Sequence, residues 1–242
     1  MKELISKKLE EFRAVDKSDP RIRKWLHDSD QWFWMYTVMK LTGRPLSRYQ
    51  ILSILKGELD ENLPLDVYEF LHSCSFVCKD MEECIGMQQD PDVKLLMRWY
   101  GMAFNEEFKY RTRNPVVYQW NYVPCHFLDV PANVEQLLKK NALQWKDTEP
   151  VERACRLMLE FLRIYPFDDD SLIMASFLVM YELMRGGVPI PSLTAGEQEF
   201  NDLAAAYLGR GEEAPMMEMF ERSVLNRLEA VITVCRQAAE EN

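Results

Sequence analysis

The chain has 242 residues, 48% of them hydrophobic and 12% aromatic, with 39 acidic against 29 basic side chains and a formal charge of −10. That is enough apolar material for a substantial core, in one large or two small domains. The acidic balance argues against nucleic acid or an anionic membrane as partner, since both call for basic patches, and no apolar run reaches transmembrane length.

The N-terminal stretch KELISKKLEEFR is charged throughout and lacks the apolar centre of a secretory leader, so a cytoplasmic location is expected. Residues 2–15 form a first helix with Leu4, Ile5, Leu9 and Phe12 on one side. Asp19-Pro20 breaks it, and a second helix runs from Pro20 to Leu41 carrying Trp32, Phe33, Trp34 and Tyr36. Their helical spacing, without interleaved basic residues, marks them as core rather than as a base-stacking platform. Gly43-Arg44-Pro45 ends this helix, and Ser47 is placed to cap a third. Residues 64–85 form another helix, with Leu65, Tyr68, Leu71, Cys74 and Cys78 at helical spacing. Cys74 and Cys78 beside His72 hint at a metal. With no CxxC pair and only three histidines in the chain, buried reduced thiols are the preferred reading.

A helix follows from Asp90-Pro91 to about Asn105. Residues 109–124 then hold the only strand-like material: Val116-Val117-Tyr118 and Tyr122-Val123 flank Gln119-Trp120-Asn121, which predicts one small β-hairpin lying on the helices. Residues 134–145 are helical, and Glu149-Pro150 opens a helix with Val151, Ala154, Met158, Phe161 and Leu162 facing inward. Pro166 disfavours helix at Tyr165, so the sequence Tyr165-Pro166-Phe167-Asp168-Asp169-Asp170 is a loop. It feeds a helix over residues 171–185, capped by an Asp or by Ser171 and stopped by Gly186-Gly187 with positive φ. That helix is apolar nearly all round and too short to span a bilayer, so it is expected to be the buried centre of the fold. Two further helices are predicted over 195–208 and 215–240. No linker or repeat divides the chain, which predicts a single all-α domain over residues 1–242.

The loop and the helix after it resemble the signature of the Fic/Doc family, whose members transfer AMP or related phosphoryl-containing groups to protein hydroxyls. The family pattern runs His-Pro-Phe-x-Asp/Glu-Gly-Asn-Gly/Lys-Arg-x-x-Arg. Pro166, Phe167 and Asp169 match it. Tyr165 stands in place of the His, Asp170 in place of the first Gly and Ser171 in place of the Asn. Leu172, Ile173 and Ser176 replace the second Gly and both Arg. The resemblance spans residues 30–235, with 1–29 as an N-terminal helical extension. It implies a helical bundle around the central helix, with the hairpin as a flap that receives a target polypeptide as an added strand on Val116, Val117 and Tyr118. Many relatives carry an inhibitory Glu in a motif that corresponds here to residues 37–43, where no Glu occurs. The Arg that such a Glu would pair with is absent too, since Ser176 stands there.

These replacements bear on chemistry. A phenol with a pKa of about 10 is a poor general base at neutral pH, so Tyr165 is read as a hydrogen-bond donor or packing residue. A carboxylate about 5 Å from a phosphate charge repels it by roughly 3 kcal/mol at an effective dielectric of about 20, against at most ~2 kcal/mol from a helix dipole. Asp168, Asp169 and Asp170 therefore oppose a triphosphate, and no arginine of the central helix lies close enough to replace the missing pair. The expectation is an inactive relative that needs no cofactor and binds a protein partner through the flap or a ligand in the pocket. The alternative is a divergent transferase using Mg-ATP or another nucleotide, with Asp169 on the metal and Tyr165 or Asp168 handling the proton. A third reading is a structural module exposing aromatic anchors such as Trp120.

Overall fold

The computed structural model describes residues 1–58 and 63–240. Among them are ten α-helices: α1 (Lys2–Ala14), α2 (Pro20–Leu41), α3 (Arg48–Leu55), α4 (Leu65–Gly86), α5 (Val93–Phe104), α6 (Val130–Leu143), α7 (Pro150–Ile164), α8 (Ser171–Arg185), α9 (Glu197–Arg210) and α10 (Glu213–Glu240). The all-α expectation holds, and most helix limits fall where the caps and prolines put them. Asp19 accepts from the Arg21 amide at the start of α2, where Pro20 needs no partner for a missing N–H. Ser47 and Gln50 form a reciprocal capping box at α3. α6 begins four residues before its expected start because Pro131 fits the first turn of a helix.

α7 and α8 are the centre of the molecule. They run antiparallel, so the start of α7 meets the end of α8: a Cβ on Gly186 would lie 2.4 Å from Cβ of Pro150. α6 and α10 pack on α7, while α2 and α4 pack on α8. On α8, Met174, Ala175, Phe177, Leu178, Met180, Tyr181 and Leu183 are almost fully buried. Each of the larger ones contributes about 1.5–3 kcal/mol from removal of apolar surface. Glu182 is the exception, a carboxylate 3% exposed inside the same interface.

Glu182 is matched by Arg153 of α7. The guanidinium Nε lies 2.9 Å from Glu182 Oε2, and Asn141 of α6 donates to Glu182 Oε1 at 2.7 Å and accepts from Arg153. A buried acid, base and amide thus tie three central helices together at the end opposite the loop.

Three local expectations are corrected. The flap is not a β-hairpin: a single antiparallel bridge, Val117 to Tyr122, encloses a 3-10 turn over Tyr118–Trp120. The turn tightens because Trp120 buries its ring and donates its indole N–H to Asn201 of α9 at 2.8 Å, which pulls the segment onto a helix instead of along a partner strand. Neither an Asp nor Ser171 caps α8 with its side chain. The Ser171 hydroxyl instead accepts the Phe167 N–H at 2.9 Å and fastens the loop to the helix. Of the two glycines that end α8, only Gly187 takes positive φ, at +66°.

Candidate functional site

The six-residue loop between α7 and α8 is held from both sides. α7 ends with Tyr165 in the left-handed region at φ 52° and ψ 63°, its N–H still bonded to Phe161 O at 3.0 Å. Asp168 is also left-handed, at φ 47°. Side chains other than glycine cost roughly 1–2 kcal/mol in that region, so neighbours must hold the loop in place.

Two groups do so. The Phe167 ring sits among Tyr100, Phe108, Tyr110 and Phe161, with centroids 5.2–6.1 Å away. On the other flank, the buried Arg111 guanidinium donates to the carbonyls of Tyr165 (2.8 Å), Ile164 (3.3 Å), Arg113 (2.9 Å) and Cys125 (2.6 Å). Its own N–H donates to Pro166 O at 2.9 Å. The unsatisfied carbonyls at a helix C-terminus carry partial negative charge, which suits a cation there.

The three acids of the loop have different surroundings. Asp170 accepts from the Tyr100 hydroxyl at 3.2 Å, and burial pushes its carboxyl above the usual carboxylate range. Asp168 has one oxygen 3.9 Å from Arg113 Nε, while its other oxygen is buried without a hydrogen bond. Asp169 is exposed, with no bonding partner among the described residues. Burial, then the charges of Asp169, Asp168 and Asp170, push the Tyr165 hydroxyl up to about 12.

Beside the loop lies an open cavity of about 520 Å³. Its walls come from the loop and the first turn of α8, the end of α2, the start of α4, the end of α5, the Tyr118–Trp120 turn and the start of α9. Tyr165, Asp169 and Asp170, singled out from the sequence, all line it. So does Trp120, which at 2% exposure is a wall of the cavity, not a surface anchor. Of the flap residues, Val116 and Tyr118 are exposed and Val117 is buried. The stretch at 37–43 also reaches the site, through Met39, Leu41 and Thr42. Sequence reading missed Arg44, Asp66, Glu197 and Asn201, which also line the cavity. Gly43-Arg44-Pro45 had signalled only a helix stop, and Asp66 and Glu197 look like ordinary first-turn acids.

Among the described residues, no group of three or more His, Cys, Asp or Glu side chains could hold a metal ion. Cys74 and Cys78 are fully buried, and burial pushes the Cys78 thiol up to about 12, so they pack as small apolar groups. A magnesium nucleotide fits the cavity poorly. Arg44 is its only basic side chain among the described residues, against Asp66, Asp169, Asp170 and Glu197.

Residues 90–183 match the Fic/DOC family. Solved Fic-domain proteins share the fold over nearly the whole chain. A Fic-domain-containing signaling protein from Bacteroides thetaiotaomicron superposes with a TM-score of 0.80 at 17% identity, covering 96% of this chain and 97% of its own. Fic-1 (residues 134–508) from C. elegans gives 0.81 at 15% identity, covering 97% and 71%. A Fic family protein from Desulfovibrio desulfuricans gives 0.76 at 14%, covering 96% and 74%. No curated protein matches the chain in sequence. At these identities the solved structures establish the fold, and the match over 90–183 covers the signature loop and most of α8.

Proposed function

We propose that this Fic-fold chain does not carry out nucleotidyl transfer and works as a binding module, through the cavity beside Tyr165 and the exposed face of the 116–122 segment. The observation that carries this reading is the state of Tyr165. Transfer to a hydroxyl needs a base with a pKa near the working pH. A phenol at about 12 is ionised to only about one part in 100,000 at pH 7. The phosphate side is equally poor, because acids occupy the turn whose backbone N–H groups would cradle the anion. The cavity is nevertheless open, so loss of chemistry has not closed the space. Val116 and Tyr118 are exposed beside the Val117–Tyr122 bridge and the 3-10 turn, where a partner polypeptide would meet their side chains.

The alternative, a divergent transferase, draws support from one feature: Asp169 is exposed at the edge of an open cavity, where it could meet a metal carried in by a nucleotide. One experiment separates the two. The purified full chain is incubated with α-labelled ATP, GTP, CTP or UTP and Mg²⁺, alone and with a mixture of cellular proteins. The binding-module reading expects no label on any protein. Transfer by the native chain that is lost in Tyr165→Phe would overturn it.

A further inference from the structure

We propose that the cavity beside Tyr165 takes a cationic nitrogen, an alkylammonium or guanidinium head group. This rests on the binding-module reading and names the chemistry of its ligand.

The charge pattern comes first. Asp66, Asp169, Asp170 and Glu197 line the cavity against Arg44, the one cation there among the described residues, which is exposed. Asp66, Asp169 and Glu197 have no ion pair or side-chain hydrogen bond among the described residues, so their charges are not already answered by the protein. The bland account holds that Asp66 and Glu197 merely complement the dipoles of α4 and α9. It explains each acid on its own helix but not why both helix starts converge on the cavity that Asp169 and Asp170 also line.

The second observation is independent of charge. Tyr165 is 7% exposed and lines the cavity, and its hydroxyl has no hydrogen-bond partner among the described residues. Unlike the Tyr110 hydroxyl, that of Tyr165 is not sealed from solvent, so it opens on the cavity and can meet a polar group entering there. An ammonium or guanidinium has only donors, and the phenol oxygen offers them an acceptor.

The remaining walls agree. Phe70, Phe104, Trp120 and Tyr165 line the same space, with the Trp120 and Tyr165 rings edge to face at 5.8 Å. Aromatic faces attract cations, most strongly where water is excluded. The carboxylates at the open side would steer a cation inward and repel phosphate. The upward shift of Tyr165 comes first from burial, and the further contribution of Asp169, Asp168 and Asp170 is in keeping with a negative field at this point.

Such a head group could come on a free small molecule or on an Arg or Lys side chain of a polypeptide. The test uses the full chain, with tryptophan fluorescence and calorimetry as readouts. Probes are agmatine and spermidine as free cations, a short extended peptide carrying one Arg, and the same peptide with citrulline in place of Arg. Saturable binding of the cationic probes is expected, weakened by added salt, with no binding of the citrulline peptide. A tighter Arg peptide than agmatine would assign the head group to a polypeptide. Asp169→Asn and Glu197→Gln, both at exposed positions, should each weaken binding about two- to fivefold without changing the circular dichroism. Equal binding of the citrulline peptide, no effect of either variant, or no binding at about 10 mM probe would overturn the proposal. Absence of cation binding together with absence of label transfer would defeat this inference alone. Label transfer would instead defeat the binding-module reading.

Discussion

Glu182→Gln tests how the α7–α8 frame is held. The change keeps shape and removes one charge from a pair whose side chains are 7% (Arg153) and 2% (Glu182) exposed. The Arg153 guanidinium would keep its bond to Asn141 at 3.1 Å but lose the carboxylate 2.9 Å away. Arg185, 3.7 Å from the same carboxylate, keeps its closer partner Asp90 at 2.8 Å, so the imbalance falls on Arg153. Breaking one side of a buried pair costs about 3–5 kcal/mol, because the remaining charge stays desolvated. For a domain of this size each kcal/mol lowers Tm by roughly 2–4 °C, so a drop of about 6–20 °C is expected. Replacing the whole cluster with apolar residues (Asn141→Leu, Arg153→Met, Glu182→Met) should recover most of the loss, since no buried charge remains. Urea unfolding followed by far-UV circular dichroism measures both variants. A cost below about 1 kcal/mol for Glu182→Gln would show that water or a rearranged partner reaches the site, and the reasoning would fail.

Other perturbations probe the same frame. Gly186→Ala has an allowed backbone, with φ not positive, but its methyl would meet the Pro150 ring at 2.4–2.5 Å. A loss of about 1–3 kcal/mol is expected in the same unfolding assay, reduced when Pro150→Ala is combined with it. Asp170 has its folded carboxyl raised by burial, so the folded state holds its proton more tightly than the unfolded one. The contribution is therefore fully present below the ordinary Asp range of about 4 and is lost as pH rises through the raised value. Asp170→Asn, which can still accept from Tyr100, should raise Tm at pH 7 and make no difference near pH 3; a Tm gain that persisted at the acid end would contradict this assignment. The Tyr110 hydroxyl is buried without a partner while its ring stacks on Phe167 at 5.5 Å. Tyr110→Phe should be neutral or stabilising by about 1 kcal/mol, and a clear loss on unfolding would mean that the hydroxyl has a bound partner.

Much of the frame is legible from local chemistry. The starts of α2 and α3 follow from Asp19-Pro20 and Ser47, and the loop between α7 and α8 follows from Pro166 and its acidic run. The apolar surface of residues 171–185 places that helix at the centre because nothing else could satisfy it. The flap was misread for a tertiary reason. Val-Val-Tyr followed by Tyr-Val favours strands, but the burial of Trp120 and its bond to Asn201, 81 residues away, decide the turn. The cavity was hidden in the same way. Arg44, Asp66, Asp169 and Glu197 lie on four separate stretches, and no spacing rule joins them. Arg153, Asn141 and Glu182 could be named as residues, but their burial as a cluster emerges only when three helices are packed.

Arg111 gathers main-chain oxygens from residues 113, 125, 164 and 165, and its amide takes that of 166. Apart from longer contacts to Asn114 Oδ1 and Cys125 Sγ, the acceptors in that bouquet are peptide groups, and peptide groups survive any exchange of the side chains they carry. The path of the backbone past the cavity is thus written largely in a code that mutation at Tyr165 or Asp170 barely edits, with the Ser171 hydroxyl as the one side chain of the loop junction that holds it. Reactive groups can come and go along this bend while its contour persists, held by one guanidinium together with the packed Phe167 ring and the Ser171 hydroxyl.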